Sequence, residues 1–338
     1  MILGVFAISL GYHVRQKVTL SQRLDLRNEL YGIAETGIQT ALVEIQKPDA
    51  SESWDTLADS WSTHEEIFNK ISVGNGSSTV SYEYWDNEEG AMKTRYGAQD
   101  EESKINLNQA PPEIISRILQ IQGGLDADEA EGIAYAVVDW RDTDTFLVHP
   151  THGAEDEYYE DEKFPYEAKD APFQVLQEFM LVRGMDPEIF QKVKEKVTVY
   201  GTGAVNINTA SREVLLATGL GERLVQSILA YRAGTDKLEG TTDDQAFIQA
   251  GAVVSTLTTA YGGLPGGEVA TLNTLVTQGV FTTASGAFMI RSRASIPQGS
   301  ALDIIAVADR GANILYWSAG IPYRLPKPSA KDGGIPRS

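Results

Sequence analysis

Residues 205–232 read VNINTASREVLLATGLGERLVQSILAYR, and residues 105–110, INLNQA, foreshadow their first six positions 100 residues earlier. Ile105-Asn106-Leu107-Asn108-Gln109-Ala110 matches Val205-Asn206-Ile207-Asn208-Thr209-Ala210. Glu113 and Glu213 stand at the same offset, followed by Ile114-Ile115 and Val214-Leu215. Asn108 and Asn208 sit where a helix N-cap is wanted, because an asparagine oxygen accepts a free N–H of the first turn. Each copy then predicts a helix, a glycine turn (Gly123-Gly124-Leu125 or Gly219-Leu220-Gly221) and a second helix. The second helices carry Ile133, Ala134, Val137 and Val138, ending near Trp140, and Leu224, Val225, Ile228 and Leu229, ending near Arg232. The duplication predicts an all-helical region over 104–280, with repeats near 105–141 and 205–233.

The two units resemble helix-hairpin-helix modules, the second one the competence-type DNA-binding version. Hairpin glycines in such modules bare backbone N–H groups at a helix N-terminus, which suits phosphate. The charge disfavours that use here. Of 338 residues, 47 are acidic and 28 basic, a net charge of −19. Arg223 is the one cation near the second hairpin, with Glu222 beside it. Nucleic-acid affinity needs clustered Lys and Arg to replace phosphate counterions. The hairpins therefore read as protein-contact units, with nucleic-acid binding as the alternative. Hydrophobic residues make up 42%, enough for a packed core. The absence of cysteine excludes disulfides, thiolate metal sites and a cysteine nucleophile.

Upstream, Met1 to Tyr12 is apolar and uncharged. Twelve helical residues cover about 18 Å, against roughly 30 Å of hydrocarbon. No basic leader precedes them and no small-residue cleavage site follows. The helical pattern then continues. Leu20, Leu24, Tyr31, Ala34, Ile38, Ala41 and Ile45 form one stripe, and Leu26, Leu30, Ile33 and Gly37 a second. With no proline before Pro48, one helix of some 45 residues is expected within 1–50, with two apolar faces. It reads as an anchor with a stalk, or as a helix packing among copies of itself. Strands are expected at Thr79–Trp85 and Lys93–Tyr96 within 51–103. Three more are expected at Ala287–Ser295, Ala301–Asp309 and Asn313–Trp317 within 281–320. Short helices are expected over Phe173–Val182 and Pro187–Lys196, a short strand in VTVYG at 197–201, and a flexible tail over 321–338.

Between the repeats, Asp139 to Asp170 holds eleven acids and three bases. Asp142 and Asp144 are spaced like the first two ligands of a calcium loop. Glu155, Asp156, Glu157, Glu160 and Asp161 add hard oxygens on a chain able to wrap a cation. The spacing is not that of an EF-hand. A calcium site and a solvated acidic surface both remain open. His149 and His152 on a proline-interrupted loop lack the helical geometry of a zinc pair.

The strings EESKINLNQA, VVDWRD, GAEDEYY, YEAKDAPF, LVRGMDPEIF, VTVYGTGAVNINTA and ILYW, in this order over about residues 20–320, resemble the minor pseudopilin K family of type II secretion. The resemblance implies an α+β, pilin-like fold: a long N-terminal helix, a small antiparallel sheet and a large helical insertion. It implies a non-enzymatic tip subunit of the pseudopilus, with the other minor pseudopilins and the major pseudopilin as partners. It also implies an inner-membrane helix and a periplasmic globular part. Family members bind calcium in the inserted domain, which points to the segment around Asp142, Asp144, Glu155, Asp156 and Glu160. No small-molecule substrate is expected: no nucleophile elbow, HExxH, P-loop or dinucleotide fingerprint occurs. The family's cleaved leader is missing from the sequence as it stands.

Overall fold

The computed structural model describes residues 2–47, 53–86, 90–297 and 299–324. Helix α1 runs unbroken from Ile2 to Gln46, about 68 Å at 1.5 Å per residue. Its second half is packed, and the stretch from Leu10 to Leu24 is not. Leu30, Ile33, Ala34, Ile38, Ala41, Leu42 and Ile45 are buried, whereas Leu10, Val14, Val18, Leu20 and Leu24 are exposed. The expectation of two apolar faces is corrected here. At 3.6 residues per turn, Leu30, Ile33 and Gly37 adjoin Ala34, Ile38, Ala41 and Ile45, so the stripes merge into one broad face.

That face lies on a sheet. After α2 (Glu65–Phe68) come β1 (Ile71–Val73) and β2 (Gly76–Val80), a hairpin. Next are β3 (Tyr82–Asp86), β4 (Ala91–Arg95) and β5 (Gln99–Asp100). The strand expected over Thr79–Trp85 is thus split at Ser81. The Ser81 N–H still donates to the Arg291 carbonyl, after which β3 leaves to pair with β4 as a separate ribbon. The chain passes through the insertion, with short strands β6 (Ile105–Asn106), β7 (Val197–Thr198), β8 (Val205–Asn206) and β9 (Phe281–Thr282). It returns as β10 (Ala287–Ser295), β11 (Ser300–Asp309), β12 (Ile314–Ala319) and β13 (Tyr323–Arg324). The main sheet has the order β1-β2-β10-β11-β12, with β5 extending the β10 edge and β13 the β11 edge. All its pairs are antiparallel. Pairing therefore reaches Arg324, four residues into the segment expected as tail. Residues 87–89, 298 and 325–338 lie outside the described residues.

The insertion has its own core, separate from that under α1. It contains α3 (Pro112–Ile118), α4 (Ala127–Arg141), α5 (Asp156–Glu160), a 3₁₀ turn (Leu176–Leu181) and α6 (Pro187–Val193). Then follow α7 (Arg212–Ala217), α8 (Glu222–Arg232), α9 (Val253–Tyr261) and α10 (Gly266–Thr277). The helix expected over Phe173–Val182 is only that 3₁₀ turn.

The repeat is longer than the sequence match. β6 pairs in parallel with β7 and closes the first unit; β8 pairs in parallel with β9 and closes the second. Each unit is strand, helix pair, long loop, helices, strand. Asn108 and Asn208 are not N-caps: Pro111 and Ser211 hold those positions. Their amides instead span to the loop of their own unit. Asn108 Oδ1 accepts from the Phe173 N–H at 2.7 Å, and its Nδ2 donates to the Phe173 carbonyl at 2.9 Å. Asn208 does the same with Phe247, at 2.8 and 3.0 Å. Arg141 donates to the carbonyls of Leu107 and Ala110, and Arg232 to those of Ile207 and Ala210. Each second helix thus ends in an arginine that ties it to the turn before the first.

Candidate metal centre

Helix α4 ends at Arg141, and Asp142 turns out of it in extended conformation. The arginine donates its hydrogen bonds to the Leu107 and Ala110 carbonyls and reaches the acids that follow only through its charge on Asp142. Asp139, fully buried in the last turn, organises them. Its two carboxylate oxygens accept from the Val148 N–H at 2.9 Å and the Ala154 N–H at 2.7 Å. The segment between is pinned at both ends against the helix. Residue 153 must be glycine, since a Cβ there would lie 2.2 Å from Asp139 Oδ2.

This pinning delivers Glu155 to the end of α4. Glu155 precedes α5 but makes no capping bond. Behind it, the buried Tyr159 ring packs on Trp140 at 5.3 Å and Tyr166 at 5.1 Å. Arg183 holds the Gly153 carbonyl at 2.6 Å. Carboxylate oxygens of Asp142, Asp144 and Glu155, one from each, all lie within 4.8 Å of one another. Asp142 Oδ1, both Glu155 oxygens and Asp170 Oδ1 are buried with no hydrogen-bond partner.

The electrostatic strain is plain. Burial, with the charges of Asp139, Asp142, Asp170 and Asp144, pushes the Glu155 carboxyl up to about 7. Asp142 is raised by burial and then by Asp144. The C-terminal end of a helix carries partial negative charge and itself favours a cation. Orphaned buried oxygens, mutual repulsion and an all-carboxylate donor set suit a hard divalent ion such as calcium. No imidazole belongs to this set.

Of the seven acids expected as ligands, Asp142, Asp144 and Glu155 converge. Asp156 is otherwise engaged, its Oδ1 accepting from the Ala168 N–H at 2.8 Å. Glu157, Glu160 and Asp161 are exposed along or just after α5, outside the converging group. Asp170 and Asp139 were not singled out by spacing. Asp139 had a readable signal: an acid among the buried-face residues Ala136, Val137 and Trp140. Asp170 had none, because its place depends on the return of the loop.

The hairpins have their own ion pairing. Arg212 binds Glu222 through two bonds, at 3.0 and 2.5 Å, across the second hairpin.

A long helix bedded on an antiparallel sheet, with a duplicated helical insertion bearing an acidic centre, defines a pilin-like fold with an inserted α-domain. Three comparisons find likenesses to protein K of type II secretion. Residues 93–202 match the family model described as "Type II secretion system (T2SS), protein K". The chain is 29% identical over 123 residues to a type II secretion system protein K of Pectobacterium carotovorum subsp. carotovorum. That stretch covers 36% of this chain and 32% of the relative, so the match spans about a third of the relative's length. The fold is similar to a chain in the crystal structure of the GspK-GspI-GspJ complex from the enterotoxigenic Escherichia coli type 2 secretion system. The TM-score is 0.63 at 18% identity, covering 91% of this chain and 99% of that one.

Proposed function

We propose that this chain is a non-enzymatic minor pseudopilin at the tip of a type II secretion pseudopilus, supporting filament assembly and protein export. One observation carries the reading: α1 is a buried spine in its second half and bare over Leu10–Leu24. Its second half is the core of the sheet domain, while its first half exposes Leu10, Val14, Val18, Leu20 and Leu24. Water does not favour that surface, and neighbouring helices would cover it. The insertion joins the core at the opposite end, where its Asn206 donates to the Asp55 carbonyl and Arg310 reaches both Asp55 and the Ile45 carbonyl. A bulky domain at that end suits a terminal subunit. The partners are other minor pseudopilins, as the GspI and GspJ of the solved relative's complex suggest, together with the major pseudopilin. The globular part faces the periplasm and α1 reaches the inner membrane. Among the described residues no helix is long and apolar enough to cross a membrane, so α1 would serve as a membrane contact shared with its neighbours.

The test is to delete residues 1–25, mix the product with its cognate GspI- and GspJ-like pseudopilins, and measure mass in solution. A folded truncation that forms a stoichiometric complex is expected. No complex, with tight duplex-DNA binding at about 0.15 M salt instead, would favour the nucleic-acid reading.

Calcium at Asp142, Asp144 and Glu155, with Asp170 beside them, is part of the same proposal. Binding to the folded state alone adds RT ln(1 + [L]/Kd), about 2.7 kcal/mol at a hundredfold excess over Kd. The melting temperature should rise from chelator to millimolar calcium, and Asp142→Ala with Asp144→Ala should abolish the rise. Equal melting in both buffers would leave a plain acidic surface.

A further inference from the structure

The loop that leaves the second helix of each unit is covered in one unit and bare at its tip in the other. In the second unit the core covers it. Arg95 of β4 donates from Nη2 to the Glu239 carbonyl at 3.1 Å, and Arg232 Nη2 pairs with the Glu239 carboxylate at 2.6 Å. The Glu239 charge in turn supports the buried Arg95 guanidinium. Gly240 sits close to the core, where a Cβ would lie 3.0 Å from Thr63 Oγ1 and 3.4 Å from the Leu57 carbonyl. An acidic loop is thus met by an arginine and by packed chain.

The matching loop of the first unit presents Phe146, Leu147 and Val148 in succession, with 79%, 47% and 47% of their surface exposed. The tip is held in shape. The Phe146 N–H donates to Asp144 Oδ1 at 2.9 Å and the Val148 N–H to Asp139 Oδ1 at 2.9 Å. From Asp142 to Glu162 there are eight acids and no lysine or arginine. Arg183 enters from outside that segment, but the Gly153 carbonyl and the Tyr158 ring engage it.

We propose that the Phe146–Val148 tip docks a partner protein whose surface sets apolar side chains among lysines and arginines. Charge complementarity decides the kind of partner. An exposed apolar run alone would suit a membrane as well. Eight acids in the same segment repel an anionic lipid surface and attract a basic protein surface. One calcium ion at Asp142, Asp144 and Glu155 would cancel two of those charges and leave the sign negative. The second unit makes the same kind of contact within the chain, with Arg95 set on an acidic loop. The proposal rests on neither the pseudopilin reading nor calcium.

The probe is an amphipathic helical peptide of leucine and lysine, about 18 residues long, added to the full chain in millimolar calcium at about 0.15 M salt. Fluorescence anisotropy gives the affinity. Hydrogen exchange on the unsubstituted protein locates the contact and separates it from the bare stretch of α1. Protection over 144–152 is expected. Phe146→Ser with Leu147→Ser and Val148→Ser, all at exposed positions, should weaken binding at least tenfold without lowering the melting temperature. A glutamate–leucine peptide should bind at least tenfold more weakly than the lysine–leucine one. No protection over 144–152, undiminished binding in the triple variant, or equal binding of a lysine–serine peptide of the same charge would overturn the docking tip. Binding to phosphatidylglycerol vesicles that the triple substitution abolishes would overturn it too, and assign the tip to a membrane.

Discussion

Gly37 has no side chain because two serines occupy the space where one would be. A Cβ at residue 37 would sit 2.3 Å from both Ser78 Oγ and Ser292 Oγ. Those hydroxyls are buried and 2.7 Å apart, and Ser292 also donates to the Ala34 carbonyl of α1 at 2.7 Å. Helix and sheet touch there by backbone and hydroxyl, not by interlocked hydrocarbon. Gly37→Ala should cost about 1–3 kcal/mol, the usual range for forcing a methyl into a filled site. Pairing it with Ser292→Ala should restore part of that loss in denaturant melts. An unchanged midpoint for Gly37→Ala would mean that the helix does not sit so close. From the sequence Gly37 looked like a member of an apolar stripe, which was right about its face. That it was a contact point for two serines was not legible, since Ser78 and Ser292 meet only once β2 pairs with β10.

The two units of the insertion solve one problem in two ways. In each, a long loop leaves the second helix and is brought back by an asparagine gripping a phenylalanine backbone. In the second unit the loop satisfies itself: Asp243 accepts from the Thr235 N–H and hydroxyl, the Asp236 N–H and the Thr241 hydroxyl. Those bonds hold its carboxyl well below the usual range. In the first unit the matching loop leaves four carboxylate oxygens orphaned. Chelating calcium should therefore raise hydrogen exchange over 142–170 and leave 233–246 unchanged. Equal exchange of the first loop with and without calcium would show that no ion orders it. Asn208→Ala should cost about 2–4 kcal/mol, because it strands a buried N–H and a buried carbonyl of Phe247. Helix existence and the 100-residue displacement were legible, because apolar spacing and glycine turns are local. Of the closing strands, β7 was legible as a short strand in VTVYG, but neither its parallel pairing with β6 nor β9 was, both strands being two residues long with partners about 90 and 75 positions away. The seven acids were legible as a cation-seeking stretch. Which three converge was decided by Asp139 pinning Val148 and Ala154.

At the scale of the whole molecule, two chain crossings join the pilin-like core to the insertion, and buried acids knit them. Asp100, on the way out, accepts at Oδ2 from Thr209 Oγ1 at 2.5 Å, Ser285 Oγ at 2.7 Å and Asn206 Nδ2 at 3.2 Å. Glu102 accepts from the Thr202 N–H at 3.0 Å and the Ala287 N–H at 3.1 Å. Around them, Asp55 takes the Ser285 N–H and Arg310, and Glu101 pairs with Lys104. Burial, then the charge of Glu102, pushes the Asp100 carboxyl up to about 8; Glu102 is raised as well, by burial. At neutral pH the junction therefore holds a proton that the unfolded chain, with an aspartate near 3.8, does not. A raised carboxyl contributes stability that is complete below about pH 4 and is lost as pH climbs to about 8. Each bound proton sets a slope of about 1.4 kcal/mol per pH unit. In saturating calcium, the wild type should lose stability relative to Asp100→Asn across pH 5–7.5 with up to that slope, read from denaturant midpoints. Asparagine keeps a neutral donor toward Glu102 and cannot release a proton, so its own profile should be flatter. Parallel profiles would mean that Asp100 is ionised throughout and that its burial stores no proton.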